Sequence, residues 1–188
     1  MIATDTNINE LIDLCKKGNQ NAQYEVYESY YKAMYNIALR IVKDVHWAED
    51  IMQEAFLKAF TKIDSFKGEV TFGAWLKRIV INHSLDSYKK VSKEPLTELE
   101  PTLYKVEHEP EDESENNNGI DVSNIQVQQV KNAINSLKEN YRIILTLLYI
   151  EGYDYEEICE ILDITSANCR TTVSRAKNAL LKKLSKNE

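Results

Sequence analysis

The chain has 188 residues, 43% hydrophobic and 28% charged, which are globular proportions that exclude a wholly disordered or fibrous protein. With only 5 Gly and 3 Pro, long helices are favoured over a turn-rich all-β fold. The net charge is -7, so the chain as a whole is acidic, and no apolar run approaches the ~20 residues of a membrane span.

The first sixty-odd residues read as helices. Residues 8–17 form a short one, closed by Gly18. Residues 22–43 form a long, Tyr-rich helix whose stripe Val26, Tyr30, Met34, Ile37 and Ile41 has helical spacing. Asp44 is placed to cap the next helix, residues 45–62, with Ile51, Ala55, Ala59 and Ile63 along one face. Residues 72–91 follow a loop containing Gly68 and carry Phe72, Trp75, Leu76, Ile79 and Val80 on the expected buried side. The segment 92–121 then gathers all three prolines, a Glu/Asp run and three consecutive Asn. Its composition is too poor in apolar surface to offset the entropy of ordering, so it reads as a flexible acidic linker. Beyond it, residues 124–136 are amphipathic, 138–150 are strongly apolar and end at Gly152, 155–162 form a short helix, and Thr165 caps a last helix over 166–184. No segment alternates as a strand does, so the expected fold is all-α: two small helical domains, 1–91 and 122–188, on either side of the linker.

Charge is unevenly distributed along this plan. The linker, with residue 91, carries a net of -8, whereas residues 67–90 carry +3 and residues 122–188 carry +1. From 164 to 186 there are six basic residues and no acid. The stretch "YEEICEILDITSANCRTTVSRAK" has the layout of a helix-turn-helix, with a short helix, a tight turn at Asp163-Ile164, and a second helix capped by Thr165. Cys169, Val173, Ala176, Leu180 and Leu184 form the apolar stripe of that second helix. Its other faces hold Asn168, Arg170, Thr171, Ser174, Arg175 and Lys177. Such side chains suit a major groove, where Arg pairs with guanine, Asn with adenine, and hydroxyls with either base or phosphate.

Other chemistries fit poorly. His83, Ser84 and Asp86 supply the residue types of a hydrolase triad, but successive residues on a helix point about 100° apart and do not face one another. His46 beside Glu49 and Asp50 lacks the ligands from facing helices that a bundle metal site requires. Cys15, Cys159 and Cys169 are odd in number and show no metal-ligand spacing, which fits reduced thiols in the cytoplasm. The start, "MIATDTNINELIDL", has neither the basic residues nor the apolar core of a signal peptide. Neither cofactor nor metal is expected.

"INSLKENYRIILTLLYIEGYDYEEICEILDITSANCRTTVSRAKNAL" resembles the −35-binding domain of the extracytoplasmic-function group of sigma-70 factors. "AEDIMQEAFLKAF" resembles that family's polymerase-binding helix, and "FKGEVTFGAWLKRIVINHSLDSYKK" its −10-reading and melting segment. The resemblance implies a non-catalytic factor that binds core RNA polymerase, directs it to promoter DNA and helps open the duplex. It implies docking of Glu49, Asp50, Gln53 and Glu54 on the clamp helices of the largest subunit, a second contact to the flap, and an anti-sigma factor as a further partner. Lys77, Arg78, Lys89 and Lys90 become phosphate contacts near the −10 element. Asn82 and His83 fall near an extruded base, although packing is the plainer role for His83, and core the plainer role for Phe72 and Trp75. Arg170, Thr171, Ser174 and Arg175 become base and nearby phosphate contacts at −35, with Asn168, Lys177 and Arg142 as phosphate candidates. The alternative is a stand-alone helix-turn-helix regulator. The family commonly has Gly where Asp163 stands, a small Ala at Cys159, a Gly-Thr pair at Ala167-Asn168 and a basic residue at Thr172, so the DNA-reading face is individual.

Overall fold

The structure, a computed structural model, describes residues 5–91 and 122–185, with side chains from 8–91 and 126–185. The linker expected over 92–121 lies outside the described residues. The chain divides into two compact units, Met1–Glu94 and Pro95–Glu188. All regular structure among the described residues is helical, as the absence of strand alternation predicts.

The first unit holds α1 (Asp5–Lys16), α2 (Gln20–Val42), α3 (Val45–Thr61) and α4 (Phe72–Val91), with a 3-10 turn at Ile63–Ser65. The reversal between α2 and α3 is built from two adjacent residues. Lys43 takes a left-handed conformation (φ 58°) and its N–H bonds the Leu39 carbonyl, ending α2. Asp44 then caps α3 by accepting from the Trp47 N–H at 2.7 Å. Helices α2, α3 and α4 pack on one another. Ala48, Ala55 and Ala59 are fully buried, which lets α3 approach its neighbours closely, and Ile41, Leu76, Ile81 and Leu85 fill the space between. Each of these large side chains stabilises the unit by about 2–3 kcal/mol through removal of apolar surface from water. Helix α1 covers the bundle with Ile8, Leu11, Ile12 and Cys15. Gly73 lets α4 meet α2, since a Cβ there would lie 3.0 Å from Tyr30 Cε1. Phe72 is buried, with its ring centroid 5.5 Å from Phe66 and 5.5 Å from Tyr30. Ile79 is only half-buried; the inner face of α4 runs instead through Leu76, Val80, Ile81, Ser84 and Leu85.

The second unit holds α5 (Val122–Asn135), α6 (Glu139–Leu145), α7 (Tyr155–Leu162) and α8 (Ser166–Leu184). Its core is Ile134, Ile143, Leu145, Leu147, Ile158, Cys169, Val173 and Ala176. The apolar run expected as one helix changes character midway. After Leu145 the turn widens to a π-helix over Thr146–Ile150, and the Glu151 N–H reaches back to the Thr146 carbonyl at 2.9 Å. Gly152, at φ 74°, completes the exit.

Candidate nucleic-acid and partner interfaces

The helix-turn-helix forms as its local chemistry dictates. Asp154 accepts from the Glu157 N–H at 2.8 Å while the Glu157 carboxylate accepts from the Asp154 N–H at 2.9 Å, so α7 begins with a complete capping box. It ends at Asp163, which adopts the left-handed conformation (φ 57°, ψ 51°) where glycine would be the low-cost residue. The Ile164 N–H bonds back to the Cys159 carbonyl, and Thr165 Oγ1 accepts from the Asn168 N–H to open α8. Replacing Asp163 by Gly relieves the left-handed strain of an L residue, about 1–2 kcal/mol, less the roughly 0.5–1 kcal/mol of extra entropy Gly loses on folding, for a net gain of order 0.5–1 kcal/mol. Thermal denaturation is therefore expected to show a midpoint raised by roughly 2–6 °C. Asp163→Val, β-branched at the same φ, lowers the midpoint.

Cys169, Val173, Ala176 and Leu180 are buried, and Leu184 is half-buried. The Cys169 thiol is pushed up to about 11, first by burial and then by its hydrogen bond with Cys159, so it stays protonated at neutral pH. Opposite this stripe, Arg170, Thr171 and Ser174 are exposed, and Asn168, Arg175 and Lys177 are half-exposed. The Thr171 hydroxyl donates to the Ala167 carbonyl at 2.9 Å, and that of Thr172 to the Asn168 carbonyl at 2.8 Å. Thr172 is itself buried, so it supports Asn168 from beneath rather than presenting a surface of its own. Lys177 Nζ lies 5.9 Å from the ring centroid of Tyr149, an exposed residue on the π-turn. Nothing in the spacing of Tyr149 singled it out, because the pairing joins two elements distant in sequence.

One residue of this expected group belongs elsewhere. Arg142 is 2% exposed and lies in α6 among Ile143, Ile144 and Leu145. A guanidinium at that depth is not presented to a phosphate. A lone arginine in a strongly apolar segment gives no sign from spacing of whether it is buried or exposed.

In the first unit, Glu49, Asp50, Gln53 and Glu54 are all exposed and share one face of α3. On α4, Asn82, Lys89 and Lys90 are exposed and Lys77 and Arg78 are half-buried. Trp75 is half-buried, with its ring 5.4 Å from Phe66 and 5.6 Å from Phe72. His83 departs from the base-reading group. It is 8% exposed, and both ring nitrogens are engaged inside the protein, Nδ1 with Lys58 Nζ at 2.6 Å and Nε2 with Glu54 Oε2 at 2.7 Å. No ring nitrogen is left for a base edge. Lys58 joins the group through a contact 25 residues away in sequence, and the one local signal for it is its i, i+4 relation to Glu54, the spacing of a helical ion pair.

Comparison with known proteins bears on both units. Residues 26–94 match sigma-70 region 2, and residues 127–180 match sigma-70 region 4. The ECF RNA polymerase sigma factor SigW of Bacillus subtilis is 32% identical over 187 residues, covering 94% of this chain and 96% of that one. The chain belongs to the extracytoplasmic-function sigma factors. The ECF RNA polymerase sigma-E factor of Escherichia coli K12 is 29% identical over 173 residues, spanning 90% of each chain. Among solved structures, the sigma factor RpoE of Bartonella quintana, determined with the anti-sigma factor NepR, is 25% identical with a TM-score of 0.54, covering 86% of this chain and 96% of that one. CnrH, solved with the cytosolic domain of CnrY, shares the fold at 19% identity and a TM-score of 0.55, covering 95% of this chain and 97% of that one. In this sigma factor the region 2 match begins inside α2, so α1 packs onto the bundle from ahead of it. The region 4 match takes in α6, α7 and most of α8.

Proposed function

We propose that this sigma factor binds core RNA polymerase through the exposed acidic-amide face of α3 and reads promoters with two separate helices. In the first unit, Asn82, Lys89 and Lys90 of α4, with Lys77 and Arg78 beside them, face the −10 element. In the second, Arg170, Thr171, Ser174 and Arg175 of α8 face the −35 element, with Asn168 and Lys177 on flanking phosphates. The observation that carries this reading is α8, a helix with an apolar face sunk in the core and an opposite face that is cationic or hydroxylated and free of acid. Residues 1–91 then act as the polymerase-docking and melting domain, 92–121 as the tether, and 122–188 as the −35 domain. The chain supplies recognition, and the polymerase supplies the chemistry.

An anti-sigma protein is a further proposed partner, supported by the Bartonella quintana relative solved with NepR. No helix among the described residues is long and apolar enough to cross a membrane.

Run-off transcription from a promoter selected out of a random library tests the proposal. Purified core polymerase is expected to give a discrete transcript only when the chain is added. Promoter-specific binding by the chain alone, with no effect on core polymerase, would instead identify a stand-alone regulator.

A further inference from the structure

The ring of His83 joins helix α4 to the exposed face of α3, and its chemistry is fixed from both sides. An ammonium has protons to donate and no lone pair to accept with. Lys58 Nζ, 2.6 Å from Nδ1, therefore donates, and Nδ1 is the unprotonated nitrogen. The ring proton sits on Nε2, which donates to the Glu54 carboxylate at 2.7 Å. With Lys58 as the donor the imidazole is held in one tautomer, wedged between an acid and a base four residues apart on one helix. Without it, Glu54 and Lys58 would close into a direct i, i+4 ion pair.

The consequence falls on Glu54. Its side chain is 62% exposed, and a carboxylate so open ordinarily samples several rotamers. Here it is tied to a ring whose side chain is only 9% exposed and whose helix is packed into the bundle.

We propose that His83 is a positioning residue for polymerase docking: it holds Glu54 and Lys58 apart and fixes the Glu54 carboxylate in the orientation its partner meets. This rests on the reading of α3 as the docking face. It also makes one side chain of the promoter-reading helix part of the polymerase contact, so the two surfaces of the first unit are mechanically joined.

The test titrates the full-length chain into fluorescently labelled core polymerase. His83→Leu removes both ring nitrogens while keeping an apolar side chain of similar bulk. It is expected to weaken binding about fivefold, since orienting an exposed carboxylate contributes little more than a surface pair does. His83→Gln offers one donor and one acceptor and is expected to return binding to within about twofold of the parent. In a Glu54→Ala background the Leu substitution is expected to add nothing, because the group it positions is gone. Melting curves on each variant separate lost positioning from lost folding, and His83→Phe, which also lacks both ring nitrogens, carries the comparison if the Leu variant is unfolded. Parent-like binding by a folded His83→Leu, with Glu54→Ala still weakening the complex, overturns the proposal and leaves the docking face standing. Parent-like core binding together with impaired promoter opening by the assembled enzyme overturns it in favour of a DNA role. If Asp50→Lys also leaves core binding unchanged, the docking face itself is wrong and the proposal falls with it.

Discussion

A chain carrying Asp50→Lys and Glu54→Lys is expected to lose affinity for core polymerase by about 100-fold or more while its melting temperature barely moves. Both side chains are exposed on one face of α3, so neither contributes to the core of the unit. Surface charges of this kind change fold stability by only a few tenths of a kcal/mol. At an interface the same charges meet a complementary surface, and reversing one leaves its partner facing a like charge at a cost of about 2–5 kcal/mol. Glu54→Lys also breaks the link to His83 and sets a lysine one turn from Lys58, so a cleaner companion is needed. Glu49→Lys with Asp50→Lys leaves that cluster untouched and tests the acidic face alone. Co-purification of tagged variants with core enzyme reads both. Undiminished recovery of polymerase with the first pair would remove α3 from the docking surface.

The second large effect is expected at Arg175. Arg175→Ala should weaken binding to a selected −35 duplex by about 1–3 kcal/mol, and binding to random duplex by much less. A base contact carries sequence information, and a phosphate contact does not. Lys177→Ala provides the contrast: a loss nearly uniform across sequences, with the salt dependence of binding reduced by about one unit of slope. Arg170, the more exposed of the two arginines of α8, distinguishes edge from centre when scanned in the same assay. Equal loss on matched and random duplex would reassign Arg175 to the backbone. Competition between labelled and unlabelled duplexes in the presence of core polymerase gives all of these ratios.

Much of the architecture is legible in local chemistry because its determinants lie within a few residues of one another. Asp44 and Thr165 cap the helices they precede, Gly152 takes the positive φ that closes its segment, and the stripe from Cys169 to Leu180 is buried as its spacing predicts. Asp163 is the more demanding example, since its left-handed conformation follows from the turn the flanking helices require rather than from its own preference. What stays hidden depends on distance. Lys58 and Glu54 reach His83 across 25 and 29 residues, and no periodicity within α4 reveals that its histidine faces α3. Arg142 is hidden for a related reason: a basic residue in an apolar helix is buried or exposed according to what packs against it. The π-turn after Leu145 arises from a shift in carbonyl partner, which the side chains of "TLLYI" do not encode.

In the proposed promoter complex, the hydroxyl of Thr171 bears on which bases α8 would meet. Its one proton is committed to the Ala167 carbonyl within its own helix. In that rotamer its methyl remains able to meet the methyl of thymine, while its oxygen offers the groove lone pairs, which accept from amino groups. In a major groove those come from adenine N6 and cytosine N4, whereas guanine and thymine present oxygen at the corresponding edge. In the proposed promoter complex a hydrogen bond to the Thr171 oxygen in this rotamer would come from adenine or cytosine, and thymine would be met through the methyl. Switching it to a reader of G would first require surrendering a bond inside α8.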